Sequence, residues 1–132
     1  MSININDIYA RQWLNSNKFV KFCSNCKYPY FFLYPHHIFH IEDTINYKSL
    51  IINNFETYEK YITNTVQPEH SVKNYKNLIK NFDINKMKKI NIRYNSRIQK
   101  YIIKDGVHRL SILKFKNIFK NNEIPLEYLN II

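Results

Sequence analysis

The 132-residue chain contains one glycine, Gly106, inside the stretch KDGVHRLSIL at residues 104–113. A chain that otherwise does without glycine keeps it where the backbone must turn sharply with positive φ, or where something must approach the main chain closely. The flanking residues say which turn this is. Tyr101, Ile102 and Ile103 give the stretch from Gln99 to Lys104 the character of a strand, while Leu110, Leu113 and Ile118 follow at helical spacing. The expected unit is strand, Asp-Gly turn, helix.

That strand has a neighbour. Ile90, Ile92 and Tyr94 alternate with Asn91 and Arg93, the period of a half-buried strand, and Asn95-Ser96-Arg97 supplies the turn of a hairpin. Upstream, Ser71 is placed to cap a helix over Val72–Phe82, in which Val72, Tyr75, Leu78, Ile79 and Phe82 share one face. Glu123 to Ile132 reads as a last short strand, with Pro125 near its start or on a sheet edge. The first half is less regular. Asp7–Leu14 is expected to open with a short helix, Tyr30–Ile41 to supply one or two core strands, and Ile45–Ile62 to form one helix or two short ones.

These elements predict an α+β fold, a small mixed sheet packed with helices. We expect a single domain over residues 1–132, with a core at 66–132 and an aromatic-rich extension or cap at 1–65. With 45% hydrophobic residues the chain can bury one modest core.

The net charge of +10 and pI near 9.6 favour a phosphate-bearing partner. Sixteen lysines nevertheless stand against four arginines in a chain rich in Asn, Ile and Tyr, the pattern that an AT-rich genome imposes through its codons. Much of the positive charge therefore needs no ligand to explain it. No apolar run approaches the roughly 18 residues of a membrane span, and no signal-peptide pattern opens the chain, so the expectation is a soluble, cytoplasmic protein without a membrane partner.

A helix that starts after Gly106 leaves its first N–H groups unpaired and points the positive end of its dipole at the turn, which favours phosphate. Arg109 in that first turn can bind phosphate oxygens in bidentate fashion, and His108 can donate or exchange a proton near neutral pH. Asp105 is placed to hold a metal ion or to orient one of these groups. The plainer reading of the same residues is an ordinary Asp-Gly turn followed by an exposed arginine.

From Tyr101 to Leu110 the sequence YIIKDGVHRL resembles the strand-turn-helix signature of the ParB/sulfiredoxin superfamily, in which a Gly-x-x-Arg turn binds nucleotide phosphates. It is most similar to the Asp-Gly-His-His-Arg turn of the free-serine kinases of that superfamily, and the similarity runs over about Val66–Ile132, element order included. Val107 stands where sulfiredoxins carry their reactive cysteine, which argues against sulfinic-acid reduction by that route. The Gly-Glu-Arg-Arg turn and the added DNA-binding and dimer domains of chromosome-partitioning ParB proteins are also missing.

What the resemblance implies is an ATP-dependent kinase acting on a small hydroxyl-bearing substrate, serine-like or a sugar. Gly106, Val107, His108 and Arg109 would hold the nucleotide phosphates, Mg²⁺ would sit at Asp105, and Glu69, just ahead of the Val72 helix, would be the base. Glu69 is equally explained as a charge that favours the helix N-terminus. Two other functions stay open. One is a ParB-like DNA-binding protein or nuclease using Lys86, Lys88, Lys89, Arg93 and Arg97, which gains if those cations share a face with the Gly106 turn. The other is a nucleotide-binding switch without catalysis.

Cys23-Ser24-Asn25-Cys26, followed by His36 and His40, has the ligand types of a zinc site, with a loop shorter than the usual finger spacing. The alternative is two reduced cysteines, with histidines that pack or hydrogen-bond within an aromatic, strand-like run.

Overall fold

Alternation of apolar and polar residues decides the centre of the molecule. In a computed structural model, which describes residues 1–13, 36–65 and 71–132, β4 (Ile90–Asn95) and β5 (Lys100–Asp105) form the expected antiparallel hairpin. Asn95 shapes its turn by accepting hydrogen bonds from the amides of Arg97 and Ile98, and Gln99 takes a left-handed φ of 55° in place of a glycine.

β5 is the middle strand of a five-stranded mixed sheet. On one side β5 pairs with β4, which pairs in parallel with β7 (Leu129–Ile131). On the other it pairs in parallel with β2 (Ile8–Trp13), which pairs antiparallel with β3 (His36–His40). The expected helix at Asp7–Leu14 is thus a strand, preceded by a 3₁₀ turn at Ile5–Asp7. Ile8, Ala10 and Gln12 turn to the core, whereas Tyr9 and Arg11 turn to the opposite face, a period of two that a short helix would scramble. Two strand partners also satisfy backbone groups that an isolated helix of that length leaves open.

The expected last strand is two. β6 (Glu123–Pro125) pairs antiparallel with β1 (Ser2–Asn4) as a small separate sheet, and a 3₁₀ turn at Leu126–Tyr128 leads into β7. Pro125 ends β6, where its missing N–H is tolerated.

The helices cover one face of the large sheet. Ile45–Ile62 divides into α1 (Ile45–Ile52) and α2 (Glu56–Thr65), with Asn53 in the left-handed region between them. α3 (Val72–Lys80) starts at Ser71 as expected, the Ser71 hydroxyl accepting from the Asn74 amide at 3.2 Å. α4 (Val107–Phe115) follows Gly106. Leu110 and Leu113 of α4 bury against Ile8, Ile90 and Ile103 of the sheet, while Ile112 packs with Tyr58 of α2 and Tyr75 of α3. The result is a mixed α+β fold in which strands from both halves of the chain share one sheet. Among the described residues no helix is long and apolar enough to cross a membrane.

A buried polar chain fixes the helices on the sheet. Gln12 of β2 donates to the Asn46 side chain at 2.8 Å and accepts from the Ile45 amide at 3.0 Å, and the Tyr75 hydroxyl donates to the Asn46 carbonyl at 2.9 Å. These hydrogen bonds offset the cost of burying the polar groups.

Candidate functional site

Gly106 is the N-cap of α4 at φ 119° and ψ 23°, a conformation that residues with a Cβ rarely adopt. Space gives a second reason for it. A Cβ there would lie 3.1 Å from Ile90 Cγ2 and 3.2 Å from the Nη2 of Arg109. Ile90 and Arg109 approach the main chain closely here.

The first intrahelical bond runs from the Leu110 amide to the Gly106 carbonyl at 2.9 Å, and no side chain caps the helix. The amides of Val107, His108 and Arg109 therefore precede the helical ladder, at the positive end of its dipole.

Arg109 is fastened down. Its Nη1 donates to the carbonyls of Lys88 and Lys89 at 2.8 and 3.0 Å, and its Nη2 lies 3.0 Å from Asp105 Oδ2. The side chain is only 14% exposed, against 68% for Asp105. Arg109 thus ties the segment ahead of β4 to the turn, and Asp105 orients it, one of the two roles expected of that carboxylate.

His108 turns toward the helical layer. Its Nε2 lies 2.7 Å from the Tyr58 hydroxyl, and its ring meets Tyr58 and Tyr75 edge-on, with centroids 5.8 and 4.7 Å away. Burial, with a smaller contribution from Tyr61, pushes the Tyr58 phenol far above its usual range, and burial does the same to Tyr75. A phenol kept protonated is a donor, so Tyr58 can donate to Nε2 and leave the proton of a neutral imidazole on Nδ1.

These groups border a cleft of about 860 Å³ between α2, α3 and the turn, within the usual size range of small-molecule sites. Arg11, Lys86, Lys88, Lys104 and Arg109 line it, against two carboxylates, Asp83 and Asp105. Tyr58, Tyr61, Tyr75, Phe82 and Met87 give it an aromatic and apolar wall. The cleft thus sets a surplus of cations and an uncapped helix N-terminus beside a wall of rings.

Gly106, Val107, His108, Arg109 and Asp105, grouped from sequence, all line this cleft. Lys86 and Lys88 of the basic segment join them, but Arg93 and Arg97 line a separate depression. Sequence reasoning missed Tyr58, Arg11 and Lys104. Tyr58 lies within the segment Ile45–Ile62, for which the spacing predicts only a helix or two, and Arg11 lies within Asp7–Leu14, expected to be a helix rather than the strand it forms.

Glu69 lies outside the described residues, between α2 and α3, both of which contribute to the cleft. Cys23 and Cys26 also lie outside them, and His36 opens β3. The ring of His40 packs on Tyr9 at 4.5 Å, with Nε2 3.3 Å from the Tyr9 hydroxyl, the hydrogen-bonding alternative foreseen for it. Among the described residues no three His, Cys, Asp or Glu side chains converge to hold a metal ion. Comparison of the chain with family models, characterised proteins and solved structures returned no match.

Proposed function

We propose that the cleft binds a nucleoside triphosphate, and that the chain is a ParB/sulfiredoxin-like phosphotransferase that phosphorylates a small hydroxyl-bearing acceptor. The observation that carries this reading is the Gly106 turn, which delivers an uncapped helix N-terminus into a cation-lined cleft. Phosphate oxygens accept from the amides of Val107 to Arg109, with Lys86 and Lys88 of the cleft lining supplying charge. The base lies against the aromatic wall.

The acceptor hydroxyl attacks the γ-phosphorus, a new O–P bond forms, the bond to the β–γ bridging oxygen breaks, and the nucleoside diphosphate leaves. The hydroxyl proton goes to a base, the role we assign to Glu69. His108, held by Tyr58, is the proton-exchanging group of the turn itself. Mg²⁺ needs only one or two carboxylates when phosphates complete its shell, and Asp105, paired with Arg109, and Asp83 are the carboxylates among the described lining residues that would hold it. Bound there, it would neutralise charge on the transferring group.

Titration calorimetry with ATP and with CTP, each with Mg²⁺, tests the reading. Binding is expected, weakened about tenfold or more when Lys86 and Lys88 are both replaced by alanine. Glu69→Gln is expected to bind nucleotide normally and to lose phosphoryl transfer. No binding of either nucleotide would remove the proposal.

A further inference from the structure

The arginines are the part of the positive charge that codon bias does not explain, because a bias toward lysine codons works against arginine. Of the four, Arg109 is committed to the turn. The other three, Arg11, Arg93 and Arg97, line one shallow depression of about 340 Å³ together with Lys104, and among the described residues no carboxylate lines it. Among the described residues none of these four cations takes part in an ion pair. Residues 14–35, which join β2 to β3, carry Lys18, Lys21 and Lys27 and no acid.

The register places these cations on the face of the sheet away from the helices. Arg93 pairs with Ile102, and Tyr9 pairs with the same residue, so Arg11, Arg93, Ile102 and Lys104 alternate onto one side, with Ile102 in the floor. Lys100 belongs to the same row, its ammonium 4.9 Å from the Tyr9 ring centroid. From Lys100 to Lys104 the row extends about 13 Å along β5 at the rise of a strand, and Arg97 in the hairpin turn prolongs it. Burial, and repulsion from Arg11 and Arg93, press the Lys104 ammonium below its ordinary pKa, which an anion would relieve.

A single phosphate cannot span such a row, whereas a chain of phosphates can. Its guanidinium groups match phosphate oxygens in planar, bidentate fashion, and among the described residues it is lined by strands and a hairpin turn rather than by a helix that could enter a duplex groove. We propose that this face binds the phosphodiester backbone of single-stranded nucleic acid across Arg97, Arg93, Lys104 and Arg11. Arg11 and Lys104 line both the depression and the larger cleft, so a strand laid along the row ends at the mouth of that cleft. The proposal does not depend on the nucleotide reading.

Fluorescence anisotropy of the full chain with a labelled mixed-sequence single strand, as DNA and as RNA, tests it. Binding is expected to weaken with salt by about 0.7 of a log unit per log unit of salt for each phosphate contacted. The double variant R93E/R97E should lose about tenfold or more in affinity and show a shallower slope, while K116E/K120E, with the same change in charge elsewhere on the surface, keeps its affinity. Arg97→Glu alone, in an exposed turn, gives a smaller loss in the same direction if the double variant folds poorly. The proposal is overturned if the two double variants lose affinity equally, if a duplex of the same sequence competes as well as the single strand, or if phosphatidylserine vesicles bind the protein and oligonucleotides do not.

Discussion

Gly106 and Arg109 depend on each other. The glycine leaves room for the guanidinium that crosses it, and the guanidinium holds the carbonyls of Lys88 and Lys89 against the turn. Gly106→Ala therefore meets strain twice, from a left-handed φ of 119° and from contacts near 3.1 Å. We predict a loss of about 1–3 kcal/mol in unfolding free energy by urea titration. Arg109 also shows where reading the sequence stops. Its proximity to the glycine was visible from three positions of spacing, but its hydrogen bonds go to residues some twenty positions earlier, whose distance in space no local pattern encodes.

At the scale of elements, the parts legible in the sequence are those built from local periodicity. The β4–β5 hairpin, α3 with its Ser71 cap and α4 after Gly106 all form where spacing and capping place them. β2 was misread because its eight-residue neighbourhood mixes apolar and polar residues in a way that suits either period, and its two partners decide the matter. The three-residue strands β1, β6 and β7 are too short to carry a period, so only long-range pairing defines them. In the site the turn was legible, while the tyrosines that hold His108 come from α2 and α3 and are joined to it by the fold alone.

Those tyrosines link three helices and carry a pH dependence. Both Tyr58 and Tyr75 have folded pKa values raised above the unfolded value near 10, chiefly by burial. The stability they support is complete below about pH 10 and falls as the pH rises past it, because only the unfolded chain then ionises readily. Urea midpoints measured from pH 8 to pH 11 should decline at the alkaline end, and the double variant Tyr58→Phe, Tyr75→Phe should decline less steeply.

At the scale of the molecule, the first half of the chain supplies two strands of the large sheet, β2 and β3. β2 covers one edge of β5, and Tyr58 of α2 reaches the site. A fragment of residues 66–132 would bare that edge and lose the partners of Ile103 and Ile112 in the core. We predict that it gives no cooperative thermal transition by circular dichroism, whereas the full chain gives one.

The parallel pairing of Ile8 with Tyr101 also has a consequence in time. During synthesis β2 is made well before its central partner β5, with α1, α2 and α3 between them. Until β5 is made, β2 can pair only with β3 and its other edge stays open, so closure of the sheet is a late, slow event governed by the search for distant contacts. A protein assembled in this order closes its middle only after α1, α2 and α3 have been made.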